Sequence, residues 1–193
     1  TFVDLRTKKI RFDVPKNLKK KLLNAVFQKV TRRAKYLLFD FGDTVLISHL
    51  GMTGSWRSVA ADNRDIDQRK HDHLFLEFSN GLRLAFNDPR RFGIIDIEKD
   101  ISKSRWLKHL GFEPFDPNFA AELFKKKAKG RASSIKTFLM DQKNVVGVGN
   151  IYASEALFLA KVKPQRKAGK VTLVEWEKLI VAIREVLTKA IEA

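Results

Sequence analysis

The apolar residues of this chain keep two different periods, and the change between them constrains the fold more than any other feature. In the first half they alternate with polar residues, the pattern of half-buried strands. Val3 and Leu5, then Ile10 and Phe12, read this way. Residues 36–41 and 44–50 are apolar runs around Gly42 and Asp43, a plausible hairpin turn. Residues 73–78 and 82–86 flank Asn80-Gly81, a hairpin signal because both residues tolerate positive φ. Residues 16–25 have a short helical spacing, with Leu18, Leu22 and Leu23 on one side. The polar, charged stretch 60–69 reads as a mobile surface loop. In the second half the period becomes helical, over 102–109, 118–127, 133–141, 151–160 and 173–192. In the last of these, Leu173, Trp176, Leu179, Ile180, Ile183, Val186, Leu187 and Ile191 form an apolar stripe. The break falls near 100–103, so the pattern predicts an α+β chain, a β-rich domain followed by a helical one.

Charge narrows the function. A net charge of +16 is costly in self-repulsion unless a polyanion relieves it. Nucleic acid is the natural partner, since each neutralised phosphate releases counterions. A merely soluble basic protein is the plainer alternative. Membrane-surface binding calls for a basic amphipathic helix with an exposed apolar face, and none stands apart. The chain has no cysteine, which excludes disulfides and thiolate metal sites within it. No apolar run approaches membrane-spanning length. The first eleven residues alternate and carry charge, unlike a signal peptide. The start at Thr1 suggests an excerpt of a longer chain.

Basic residues cluster at 19–21, 32–35, 90–91 and 125–127. The first and last clusters read by default as solvated faces. Arg32, Arg33 and Lys35 differ, because an apolar strand follows at once. A lysine at the start of a rigid strand either aims its ammonium at a phosphate or sugar, or is a plain strand-entry charge. His49-Leu50-Gly51-Met52-Thr53-Gly54 ends a strand and turns on two glycines. Met52 is then either a flexible apolar wedge at a loop tip or a side chain tucked into the core. Asp88-Pro89-Arg90-Arg91-Phe92-Gly93 places two guanidinium groups and an aromatic ring on a tight turn. Such a turn either reads bases and fills a gap in a stack, or is a surface turn with a buried Phe92. In Lys70-His71-Asp72-His73 the two histidines share a strand face. Without further ligands, one histidine on a phosphate and one packed in the sheet is the better reading than metal. In the run from Leu139 to Leu157 a helix ends near Asp141, a glycine-punctuated turn follows, and Asn150 can cap the next helix. That helix start offers amides to a phosphate, or is an ordinary packing corner.

Taken together, Arg32-Arg-Ala-Lys35-Tyr36, His49 to Gly54, Lys70 to His73, Asp88 to Gly93 and Leu139 to Leu157 resemble the formamidopyrimidine-DNA glycosylase family. Endonuclease VIII shares the fold, but the Met52 loop and the Arg-Arg-Phe turn favour the formamidopyrimidine branch. The resemblance implies an antiparallel β-sandwich domain over 1–101 and a helix-two-turn-helix domain over 102–193, with duplex DNA in a cationic cleft between them. It implies removal of oxidised purines, 8-oxoguanine or formamidopyrimidine, by flipping the base out of the stack. Met52, Arg90 and Phe92 match the residues that fill the resulting gap, with Arg90 on the orphaned cytosine. Lys35, His71, Arg91, Arg131 and Asn150 match DNA-contacting positions. Lys35 also matches the lysine assigned as proton donor in β-elimination, and Lys136 one tied to handling the oxidised base. The implied partner is double-stranded DNA with oxidised purines or abasic sites. The implied protein is a monomeric, cytoplasmic, nucleoid-associated bacterial enzyme.

The chain departs from the family at both ends. The resemblance implies an N-terminal proline that attacks the sugar as a secondary amine, a glutamate beside it, and a Schiff-base intermediate that makes strand scission possible. It also implies a four-cysteine zinc finger, the only cofactor expected, and a loop over the extruded base. None of these is present, so the expectation is a parent enzyme with glycosylase and AP lyase activity and an inactive excerpt. The alternatives are a natural truncation that binds damaged DNA without cutting it, and an RNA-associated module.

Overall fold

A computed structural model describes residues 1–59 and 69–192, so most of the 60–69 stretch read above as a loop lies outside the described residues. The chain divides into two compact units, residues 1–108 and 109–193. The described residues of unit 1 form eight strands: β1 Phe2–Leu5, β2 Lys29–Arg33, β3 Tyr36–Asp40, β4 Val45–His49, β5 Ser55–Val59, β6 Asp72–Glu77, β7 Arg83–Asn87 and β8 Ile94–Glu98. They form two antiparallel four-stranded sheets, ordered β1-β6-β7-β5 and β2-β3-β4-β8. The alternating residues Val3, Leu74, Leu76 and Phe86 of the first sheet share one core with Phe39, Leu46 and Ile95 of the second. Leu18 and Leu22 of the short helix α1 (Leu18–Leu22) close that core. The Trp56 indole donates to Ser48 Oγ at 2.9 Å and ties the sheets together. On the outer face of the first sheet, Phe75 is fully buried beneath the guanidinium groups of Arg6 and Arg83.

Two turns were legible in outline and differ in detail. Phe41 N–H donates to Thr44 O, so Gly42 and Asp43 form a two-residue turn with Gly42 at φ +79°, the residue a type II′ hairpin wants first. Phe78 N–H donates to Leu82 O, so Asn80-Gly81 sits in a three-residue loop and only Gly81 takes positive φ. The strand expected at Ile10 and Phe12 does not form. Its backbone closes locally, Ile10 N–H on Phe12 O and Val14 N–H on Lys8 O, and Pro15 ends the segment. The helix expected over 102–109 reduces to one 3₁₀ turn, Ile101–Lys103, capped by Asp100. There Ser104 Oγ takes the Trp106 amide and Asp96 takes the Trp106 indole, so local side chains outcompete a short helix.

Unit 2 contains α2 Ala121–Ala128, α3 Ile135–Met140, α4 Asn150–Leu159 and α5 Leu173–Glu192. Trp176, Leu179, Ile180, Ile183 and Val186 of the expected α5 stripe are buried. Leu173 and Ile191 are exposed and lie outside it. Trp176 stacks on Phe124 and meets Phe138 edge-on, which anchors α5 to α2 and α3. The lysines of α2 are not simply a solvated face. Lys125 Nζ donates to Val171 O at 2.6 Å, and Lys127 lies over the Phe112 ring.

Candidate nucleic-acid interface

The register of the second sheet brings three of the sequence motifs to one end. Tyr36 pairs with His49, and His49 pairs with Ile94. The residues just outside that row are therefore Lys35, which precedes β3, Gly51 and Met52, which follow β4, and Phe92 and Gly93, which precede β8. Lys35 sits in a two-residue turn, because Arg33 pairs with Tyr36. Ala34 takes φ +54° there, a strained conformation for a residue with a Cβ. Arg32 Nη1 donates to Ala34 O at 2.9 Å and braces the turn. Lys35 is open to solvent, yet protein atoms around its ammonium desolvate it and lower its pKa from the usual lysine range.

His49 stands between the Lys35 turn and the Met52 turn. Its ring lies 4.9 Å from that of Tyr36, and its Nδ1 accepts the Gly51 N–H at 2.9 Å. Burial depresses its pKa, and the nearby charges of Lys35 and Arg11 depress it further. A neutral ring with Nδ1 as acceptor is thus the resting form. Desolvation raises the Tyr36 pKa, against an opposing effect of Arg11.

Met52 is 69% exposed and Phe92 41% exposed, so neither is tucked into the core. The Arg90 guanidinium lies 4.8 Å from the Phe92 ring centroid. Both Arg90 and Arg91 are exposed, and Arg91 takes φ +55°. Asp88 begins this turn, accepting the Arg91 N–H on its carbonyl, with Pro89 in the second position that suits its fixed φ. Gly51 packs directly on the second turn: a Cβ there would lie 2.5 Å from the Phe92 carbonyl carbon.

The histidine pair is split by the fold. His71 precedes β6 and is half-buried, while His73 is buried within it. A register shift between Asp72 and Leu74 interrupts simple alternation. His73 Nε2 donates to Asp88 O at 2.9 Å. Asp72 accepts from Arg57, Asn87 and the Arg69 amide. Burial alone would raise the Asp72 pKa, but these donors more than offset it and the net shift is downward. The described residues offer no cluster of three or more His, Asp or Glu, and the chain no Cys, so they do not fit a zinc site.

In unit 2 the helix-two-turn-helix corner is built from α3, residues 141–149 and α4. Gln142 accepts the Gly147 N–H and donates to Val148 O, while the buried Asn144 donates to Phe138 O. Gly147 supplies φ +79°. Gly149 occupies the N-cap position and Asn150 is the first residue of α4, so Asn150 does not cap the helix with its side chain. Asn150 and Ile151, the first two residues of α4, are exposed. Arg131 is exposed between α2 and α3, its backbone held by Ala128 O and Gly169 N–H. Lys136 is half-buried on α3. Among the described residues no helix is long and apolar enough to cross a membrane.

The sequence pattern of the formamidopyrimidine-DNA glycosylase N-terminal domain matches residues 1–95, and that of the same family's H2TH domain matches residues 110–193. The formamidopyrimidine-DNA glycosylase of Idiomarina loihiensis is 46% identical over 191 residues, 98% of this chain and 69% of that protein. The chain belongs to the formamidopyrimidine-DNA glycosylase family. The family's enzyme from Hahella chejuensis is 45% identical over 190 residues, again 98% of this chain and 69% of the relative. Among solved structures, the Lactococcus lactis family member bound to DNA containing an abasic site superimposes with a TM-score of 0.87 at 33% identity, covering 99% of this chain and 70% of that one. A second complex of the Lactococcus lactis protein, with THF-DNA and an inhibitor, gives a TM-score of 0.88 at 33% identity, covering 99% of this chain and 71% of that one.

Sequence reasoning missed two groups that shape the interface. The imidazole of His49 lay inside a quoted motif but was not assigned a part. Asp88 likewise opened a motif without being given a part, since its partner Thr53 is 35 positions away.

Proposed function

We propose that this chain grips duplex DNA at an oxidised purine or abasic site and supplies the wedge and the strand-scission lysine of a glycosylase with AP lyase activity. The convergence of the Lys35, Met52 and Arg90–Phe92 turns at one sheet end, with Met52 and Phe92 exposed, carries this reading. Met52 and Phe92 enter the gap left by the extruded nucleotide, and Arg90 donates to the base left without a partner. Stacking of Arg90 on Phe92 holds the two side chains in register before DNA arrives. Lys35 contacts a phosphate beside the lesion. Its lowered pKa makes its ammonium a readier proton donor in β-elimination than an ordinary lysine. His71 and Arg91 add phosphate contacts in unit 1, and Arg131, with the amides at Asn150, adds them in unit 2. Lys136 is assigned to handling of the oxidised base.

Recognition of the damaged duplex and proton donation from Lys35 are the parts we assign to these residues. Competition binding with a duplex containing a tetrahydrofuran abasic analogue and an intact duplex of the same sequence tests the reading. The expected result is a preference for the abasic duplex. Equal affinity for both duplexes refutes it.

A further inference from the structure

The turn that carries Met52 and the turn that carries Arg90 and Phe92 both lie on connections that cross between the sheets, β4 to β5 and β7 to β8. Between them lies a completely buried carboxylate. Asp88 Oδ1 accepts the Thr53 hydroxyl at 2.7 Å, and Oδ2 accepts the Gly93 N–H at 2.7 Å. Thr53 Oγ1 in turn accepts the Arg90 N–H at 3.3 Å. Behind the carboxylate, the Asp88 amide donates to His71 O and its carbonyl accepts from His73. An aspartate at the head of a turn ordinarily bonds the amide two residues on. This one reaches five residues forward and thirty-five back. Burying a carboxylate is tolerated only where donors satisfy it, and here those donors come from both connections.

We propose that Asp88 is a positioning residue that clips the Met52 turn to the Arg90–Phe92 turn, so that the three side chains enter DNA as one pre-formed wedge. The flanks of Met52 support this: Gly51 rests on the Phe92 backbone and Thr53 bonds the carboxylate, so both neighbours are held by the second turn. Ordering two independent loops on binding would cost affinity that a pre-formed pair keeps.

The inference rests on the proposed wedge, and its test separates the two. Thr53→Val removes the hydroxyl while keeping the shape, and Thr53→Ser restores it. Asp88→Asn is the second variant, with thermal melting as a check on folding. In the full 193-residue chain, Thr53→Val is expected to lower the preference for the abasic-analogue duplex over the intact one about tenfold, and Thr53→Ser to recover it. Amide hydrogen exchange at Gly93 and Arg90 is expected to speed up in Thr53→Val with no DNA present. Parent-like discrimination in Thr53→Val overturns the proposal. Should Met52→Ala and Phe92→Ala leave discrimination unchanged, the wedge itself fails. Exchange at Gly93 then still decides whether the clip exists, and unchanged protection in Thr53→Val overturns that too.

Discussion

Gly51→Ala probes the contact between the two turns most directly. The new Cβ would lie 2.5 Å from the Phe92 carbonyl carbon, 2.6 Å from its oxygen and 2.8 Å from the Gly93 nitrogen. All three atoms are backbone, so no rotamer change relieves the overlap. Forcing atoms into packed space costs about 1–3 kcal/mol. The residue also sits at φ +64°, where a Cβ adds about 1–2 kcal/mol. Gly42→Ala is the matched control: φ is +79° and a Cβ there would meet nothing within 4 Å. Both substitutions reduce the freedom of the unfolded chain alike, so that effect cancels in the comparison. The expected difference is therefore the overlap alone, about 1–3 kcal/mol. Urea titration followed at unit 1 amide resonances measures both variants. Equal losses would refute the argument that backbone contact, and not φ alone, fixes the Met52 turn.

Replacing Arg90 and Phe92 together with Ala should abolish most of the preference for an abasic-analogue duplex while leaving melting nearly unchanged, as competition binding and calorimetry would show. Lys35→Met should weaken binding to any duplex and reduce the slope of log affinity against log salt by about 0.9, measurable by a salt titration. Because the folded His49 pKa lies below its ordinary value, its neutral form favours the fold. Stability is then fully present above the ordinary histidine pKa and falls as pH drops from there toward the lowered value. His49→Asn, whose Oδ1 can still accept the Gly51 N–H, should flatten that acid loss in melting curves between pH 7 and 5. Lys125→Met should destabilise unit 2 by about 1.5–3 kcal/mol through loss of the bond to Val171 O, read by chemical denaturation.

What was legible in the sequence was whatever its local pattern alone dictates. Helix α5 was read at its observed bounds because twenty residues of helical spacing leave little choice. The β3–β4 hairpin was read because apolar runs flank Gly42. Strand β2 was not, since its residues are mostly exposed and carry no alternation. Ile10 and Phe12 alternated like a strand, yet side-chain and turn bonds closed that segment on itself. At the candidate interface the motifs announced Lys35, Met52, Arg90 and Phe92 as chemistry. Their assembly depended on sheet register and on a Thr53–Asp88 bond between distant positions, which no local spacing encodes.

The shared carboxylate also sets a rule for remodelling this protein. A loop swap that lengthens the Met52 segment by one residue would pull Thr53 off its acceptor and disturb a turn more than thirty positions downstream. Engineers who want a different wedge should therefore transplant both segments and the intervening aspartate as a set, and leave the hairpin at Gly42 as the safer place for insertions.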